Sequence, residues 1–333
     1  MVKLDMRVGV DAPIPQVVEY ICALEDAGLD GAGIPEHPEG GRDQIVALTA
    51  AALKTSRITL WPALATPFAR HPAIIAGGIQ TLADLAPGRI RLCVGSGDSS
   101  SRYLGVRQQT VAEMRGVVRS IRGLLRGEEA KFAGEDKPGI KFSHVLESPP
   151  PVFLAADGPR MMENAAAEAD GVLIRSGLHP ALIRKAKENV RQGALKAGKA
   201  PESIKVIFAT QFVMAKTDKE ARERARARCF SLIQRPARTS GLGNAFQGPS
   251  LQELGIEIPQ VDKAADIPDS VLAEICDATG IVGSPEHCLE IITRAVKTGG
   301  VEHIFCTGYG VDNMSQVALE GLRRVVLPGL RSL

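Results

Sequence analysis

Short runs rich in Val, Ile and Leu recur along the chain, each followed by a stretch in which apolar residues return every third or fourth position. Such a run reads as a strand, and the spacing after it as the buried face of a helix. The first unit is a strand over 7–10 and a helix over 17–27, with Val18, Ile21, Leu24 and Ala27 on the apolar face and Gly28 placed to end it. The pattern returns at 31–34 with 44–54, at 58–62 with 73–85 and at 90–95 with 111–126. A later set pairs 152–155 with 160–168, 171–174 with 182–197 and 204–213 with 219–234, and 303–306 is the last strand.

Eight strands alternating with helices predict a TIM (β/α)8 barrel, because right-handed crossovers lay every helix on the outside of a parallel sheet that closes on itself. An open doubly wound sheet uses the same alternation, but no GxGxxG turn follows the first strand. Residues 1–333 are read as one barrel domain with insertions near 127–151, charged and turn-rich, and near 236–268, rich in Gly and Pro. Both are expected to project as loops or lids. Arg222, Arg224, Arg226 and Arg228 alternate on a predicted helix and read as a solvated face.

Composition narrows the class. Forty Lys and Arg against 38 Asp and Glu leave a net charge of +2, which gives no footprint for nucleic acid. No run approaches the ~18 apolar residues of a membrane span, and the N-terminus lacks the long apolar stretch of a signal peptide, so the expected compartment is the cytoplasm. Cys22, Cys93, Cys229, Cys276, Cys288 and Cys306 stand singly, without the paired spacing of a zinc site, and are read as buried small apolar residues; no metal is expected.

In a barrel of this kind the reactive groups sit at the carboxyl ends of the strands. After the second strand comes PEHPEGGRD (35–43), which brings His37 and carboxylates onto one loop. A histidine there moves protons near neutral pH or hydrogen-bonds a ring; the plainer reading is a turn histidine, with Asp43 capping the next helix. The stretch WPALATPFARHP (61–72) is a stiff proline-flanked wall that either backs a flat ring or packs Trp61 and Phe68 on the barrel, with His71 starting the next helix. Gly95, Ser96 and Gly97 permit close approach to backbone, yet the run lacks the phosphate-loop pattern and Asp98 opposes a phosphate. After the fifth strand, Asp157, Gly158, Pro159 and Arg160 lead into a helix whose first amides suit an anion, or else form an ordinary helix start capped by Asp157. Arg175, Ser176 and Gly177 supply donors after the sixth.

The blocks HPAIIAGGIQTLADLAPGRIRLCVGSGD, RSIRGLLRGE and PVFLAADGPRMMENAAAEADGVLIRSGLHP resemble the bacterial luciferase-like flavin and deazaflavin superfamily, and within it the methylenetetrahydromethanopterin reductases. The resemblance runs in order over about residues 5–215 and is weaker beyond. It implies a TIM barrel holding coenzyme F420, or alternatively FMN, at the carboxyl end of the strands with its phosphate near strands five and six. Gly158, Pro159, Arg160 and Met161 correspond to the phosphate-side loop, Ser176 and Gly177 to its neighbour. Ala63, Leu64, Ala65 and Thr66 fall where the family has a bulge with a non-proline cis peptide, here at Ala63-Leu64. Glu36-His37 matches an acidic-His pair; the family often has Asp-His, while Glu-His occurs among its flavin monooxygenases, which leaves both cofactors open. The implied activity is hydride transfer between F420 and a small organic substrate, with His37 bonding the ring or relaying a proton, Glu36 orienting it and Asp11 meeting substrate. The alternatives are an FMN-dependent monooxygenase and a flavin-binding protein without turnover. The resemblance also implies a homodimer.

Overall fold

The structure, a computed structural model, describes residues 2–97, 99–132, 136–234, 248–308 and 316–333. Its elements in chain order are β1 (Lys3–Arg7), α1 (Ile14–Ala27), β2 (Gly31–Ile34), α2 (Gln44–Ala52), β3 (Thr59–Ala65), α3 (Pro72–Leu85), β4 (Leu92–Val94), α4 (Ser99–Tyr103), α5 (Val111–Leu125), β5 (Val152–Ala156), α6 (Pro159–Glu168), β6 (Gly171–Ile174) and α7 (Pro180–Lys196). There follow β7 (Lys205–Met214), α8 (Asp218–Ile233), α9 (Gly248–Glu253), α10 (Asp269–Thr279), β8 (Gly280–Gly283), α11 (Pro285–Gly299), β9 (His303–Thr307), α12 (Gln316–Gly321) and α13 (Leu327–Arg331), the last two joined by a π-helical turn.

Every strand pair is parallel. The chain of neighbours β1 to β7 closes through β9 onto β1, with Phe208–Gln211 of β7 beside Ile304–Thr307 of β9 and Lys3–Met6 of β1 beside His303–Cys306. This is the eight-stranded TIM barrel. A ninth strand, β8, adds to the upper part of β7 at Gln211–Met214, past the point where β7 leaves β6.

Helix positions follow the apolar spacing. In α1, Val17, Ile21 and Leu24 are fully buried, and Gly28 ends the helix at φ +96°, a conformation that a Cβ disfavours. Asp43 caps α2 by accepting from the amides of Ile45 (2.8 Å) and Val46 (3.1 Å), and His71 caps α3 through Nδ1 from the amide of Ala73. The main core lies between strands and helices. A second, inside the barrel, joins Trp61, Cys93, Phe153, Leu173, Ile207 and Phe305, with Trp61 and Phe305 rings 4.6 Å apart.

Beneath that inner core the barrel is closed by charge. Asp5, fully buried, takes Arg91 Nη1 at 3.1 Å on Oδ2, and His303 Nε2 lies 3.0 Å from the same oxygen without hydrogen-bond alignment. The Arg91 guanidinium also lies 4.9 Å from the Trp61 ring centre. Burial pushes the Asp5 carboxyl up, but the charges of His303 and Arg91 outweigh it and the net shift is downward.

Several expectations are corrected. The first strand is Lys3–Arg7, not 7–10: a buried carboxylate and two flanking cations disguise it as polar, whereas Val8 and Val10 are buried in the turn after it. The first part of the proline wall, 61–65, is strand, since β3 runs to Ala65 with a register shift against β4 between Ala63 and Ala65. Between β7 and β9 the sequence reading missed α10, β8 and α11. Part of the second insertion packs instead of projecting: Leu251, Ile256 and Ile267 are buried with residues of α8 and α10 in a satellite core. Residues 236–247 lie outside the described residues. Arg226 is not on a solvated face: its side chain is 12% exposed and bonds Glu223, Asp269 and the Ile267 carbonyl. Arg224 pairs with Glu220 in the open.

Candidate functional site

The carboxyl ends of β2 and β3 are sewn together by one side chain. Glu36, immediately beyond β2, accepts from the amide and the hydroxyl of Thr66, both at 2.6 Å, and lies 3.4 Å from Arg70 Nε. Its own amide donates to the Leu64 carbonyl at 3.2 Å, and the Gly95 amide donates to Ala65 at 3.1 Å. Arg70 also pairs with Asp43, so the cap of α2 is tied to the same knot. The peptide bond Ala63-Leu64 is cis, at the position the resemblance implied. Glu36 therefore braces the bulge, its carboxylate taken up by Thr66 and Arg70.

His37 follows on the same loop and is half-buried. Its Nδ1 lies 3.0 Å from Glu39 Oε1, and its ring centre is 6.1 Å from that of Tyr103 on α4. Glu39 also accepts a hydrogen bond from Tyr103, which raises the phenol pKa. Burial lowers the His37 pKa; the Glu39 and Asp11 charges raise it and Arg7 lowers it, for a net downward shift. Asp11 is exposed in a bend beyond β1, close enough for its charge to be felt at His37. The imidazole is thus the group on this rim poised to give or take a proton near neutrality.

Small residues shape the adjoining surface. A Cβ on Gly95 would sit 2.8 Å from the Leu64 side chain, and one on Gly97 only 2.2 Å from the Phe68 ring, where the backbone turns at φ +77°. Ser96 is half-buried between them. Asp98 lies outside the described residues.

On the β5–β6 side, Asp157 does not cap α6 as one reading had it. Gly158 is the N-cap and offers no side chain, while Asp157 pairs with Arg175 across the two loops. Arg175 is therefore less available as a donor than expected, and the Ser176 hydroxyl is turned to the Gly177 carbonyl at 3.4 Å. What remains for an anion is the uncapped first turn of α6, with nothing within 4 Å of a Cβ built on Gly158, together with the exposed Arg160 and the half-buried Met161 behind it. Among the described residues no group of three or more His, Cys, Asp or Glu side chains could hold a metal ion.

Sequence reasoning missed Arg70, Glu39 and Tyr103. The partners of Arg70 lie 27 and 34 residues away, and no local spacing announces such a pairing. Glu39 was visible only as one of the loop's carboxylates.

The family profile of luciferase-like monooxygenases matches residues 2–303. The 5,10-methylenetetrahydromethanopterin reductase of Archaeoglobus fulgidus is 29% identical over 324 residues, covering 94% of this chain and 95% of the relative. The solved F420-dependent tetrahydromethanopterin reductase of Methanopyrus kandleri superposes with a TM-score of 0.78 at 24% identity, covering 98% and 99% of the two chains. A type II Baeyer-Villiger monooxygenase from Pseudomonas putida, solved with FMN, superposes at 0.70 with 20% identity over 98% and 99%. With a parallel barrel whose chemistry-bearing loops lie at the strand ends and a family profile spanning most of the sequence, this chain belongs to the luciferase-like monooxygenase family.

Proposed function

We propose that this protein is an F420-dependent oxidoreductase that moves a hydride between the deazaflavin and a small organic substrate, in the manner of the methylenetetrahydromethanopterin reductases. The observation that carries this reading is the similarity to the Archaeoglobus reductase across nearly the whole of both chains. The residues fit the cofactor's needs. An anionic tail would be held by the uncapped α6 turn at Gly158, Pro159, Arg160 and Met161, with Ser176 and Gly177 beside it, whereas the space over Gly95 and Gly97 is taken by the Leu64 and Phe68 side chains.

Bound F420 supplies the two-electron hydride chemistry. The protein's own part is positioning and proton handling. Ala63, Leu64, Ala65 and Thr66 form a backing wall kept in place by Glu36. Burial favours the neutral form of His37, which suits it to bond a ring atom or relay a proton, while Glu39 orients its Nδ1. Asp11 at the rim is placed to meet substrate.

An FMN-dependent monooxygenase is the second reading, favoured by Glu36-His37 where the family often has Asp-His. Titration of the purified protein with F420 and with FMN under like conditions decides between them: F420 binding at micromolar concentration, followed by a substrate-dependent change in its visible absorption, is the expected result. Tighter FMN binding with oxygen consumption gives the second reading. Binding without turnover leaves a carrier.

We further propose a homodimer, supported by Val46 and Leu53 on or beside α2 and Ile74 on α3, which are 61–67% exposed. Among the described residues no helix is long and apolar enough to cross a membrane. All six cysteines are free thiols, which supports a reducing compartment such as the cytoplasm.

A further inference from the structure

Away from the barrel mouth, α8 and α10 cross with two thiols face to face. Cys229 Sγ and Cys276 Sγ are 3.7 Å apart, both side chains fully buried, in residues 47 positions apart in sequence. The other thiols with described contacts turn to backbone: Cys22 donates to the Lys54 carbonyl, Cys93 to Val94 and Cys288 to Gly283. We propose that Cys229 and Cys276 are a modification site, a dithiol that an oxidant of the peroxide class converts to a disulfide joining α8 to α10.

Three features of the site support this. The sulfurs, 3.7 Å apart, are in van der Waals contact and must close to about 2.05 Å to form the bond. Ala225 and Ala221, one and two turns before Cys229, leave small neighbours on the α8 face beside the thiols. The pair lies in the satellite core, apart from both barrel cores, and such a cluster opens at lower cost than the whole fold. The contact with Cys276 and the charges of Arg228 and Arg226 lower the Cys229 thiol pKa against the burial that raises it, and Cys229 is therefore taken as the attacking sulfur.

The steps balance. The Cys229 thiolate attacks a peroxide oxygen, the O–O bond breaks, and after proton uptake one water leaves with the sulfenic acid formed. Cys276 sulfur then attacks that sulfur, the S–O bond breaks, the thiol proton goes to the departing hydroxide, and a second water leaves. Two thiols are oxidised by two electrons and one peroxide is reduced. Because α10 runs directly into β8, and β8 pairs with the end of β7 from which α8 departs, the bond fastens the satellite core to both sides of the added strand.

The test is to treat the full chain with hydrogen peroxide, quench with N-ethylmaleimide, digest without reduction and map by mass spectrometry. The expected result is a dithiothreitol-sensitive cross-link between the Cys229 and Cys276 peptides, with the thermal midpoint of the oxidised protein raised by several degrees. Recovery of both cysteines as maleimide adducts after Cys22 has been oxidised, or as partners of other cysteines, overturns the proposal. In Cys276→Ala the midpoint shift should vanish and a dimedone-reactive sulfenic acid should persist at Cys229; a shift that survives the substitution overturns it too. If that variant does not fold, the wild-type map alone decides.

Discussion

At the lower end of the barrel the Asp5 carboxylate meets Arg91 and His303 within the protein, under a lid of Trp61 and Phe305. At the upper rim charges are arranged in two ways: Glu36 is consumed by Thr66 and Arg70, while His37, Asp11 and Arg160 keep exposed or half-exposed faces, and the first turn of α6 is left without a side-chain cap. A buried ionic cluster with its partners supplied serves the fold, because removing one member strands the others. In the proposed function, the polar groups left facing outward beside an uncapped helix serve a ligand that arrives. Chemistry and stability are thereby divided between the two ends.

That division is broken most directly at His37. His37→Ala is expected to lower turnover with F420 about 10²- to 10⁴-fold while leaving the urea midpoint near wild type. Asp5→Asn is the mirror experiment: it should cost about 3–5 kcal/mol in urea unfolding and leave cofactor affinity unchanged. Equal losses of activity in both variants would erase the distinction. The Asp5 contribution has a defined pH sense. Its folded pKa lies below the ordinary 3.8, so its stabilisation is present above pH 3.8 and is lost as pH falls through the folded value; Asp5→Asn should flatten the acid limb of the unfolding curve.

Glu36→Gln sits between the two ends in kind, since it keeps the shape but removes the charge that holds Thr66 and Arg70. It should weaken cofactor binding by roughly tenfold and cost about 1–3 kcal/mol of stability. Arg160→Ala is expected to weaken binding about fivefold, an effect that shrinks as salt is added, measured by titration at two ionic strengths. The smallest effect is spectroscopic. The His37 ring should titrate below 6.5 by NMR, and further below in Glu39→Gln, because the Glu39 charge opposes the burial. Any stability tied to neutral His37 is present above 6.5 and fades as pH falls; it is small for a half-exposed ring.

The barrel was legible because its signal is repeated: β2 at Gly31–Ile34 and β6 at Gly171–Ile174 are four buried residues each, bounded by turns, and their helices follow in period. β1 was misplaced because its inward residue is Asp5, which no periodicity argument assigns to a core. β8 was overlooked since Gly280–Gly283 holds two glycines and its pairing with β7 is supplied by tertiary contact. At the site, the residue types could be read, but their employment could not. Nothing local to Glu36 says that its carboxylate will be spent on Thr66, or that Asp157 will turn from the helix start to Arg175.

The knot around Arg70 has a mechanical corollary. Asp43 grips the first turn of α2 and, through Arg70 and Glu36, the wall behind the proposed ring site, and Arg70 stands just before α3. Val46 and Ile74, the exposed apolar positions on those two helices, lie within four residues of that linkage along the chain. A second subunit seated on them in the proposed homodimer would lie two ion pairs, Asp43–Arg70 and Arg70–Glu36, from the wall, and the expected outcome is a protein-concentration dependence of cofactor affinity.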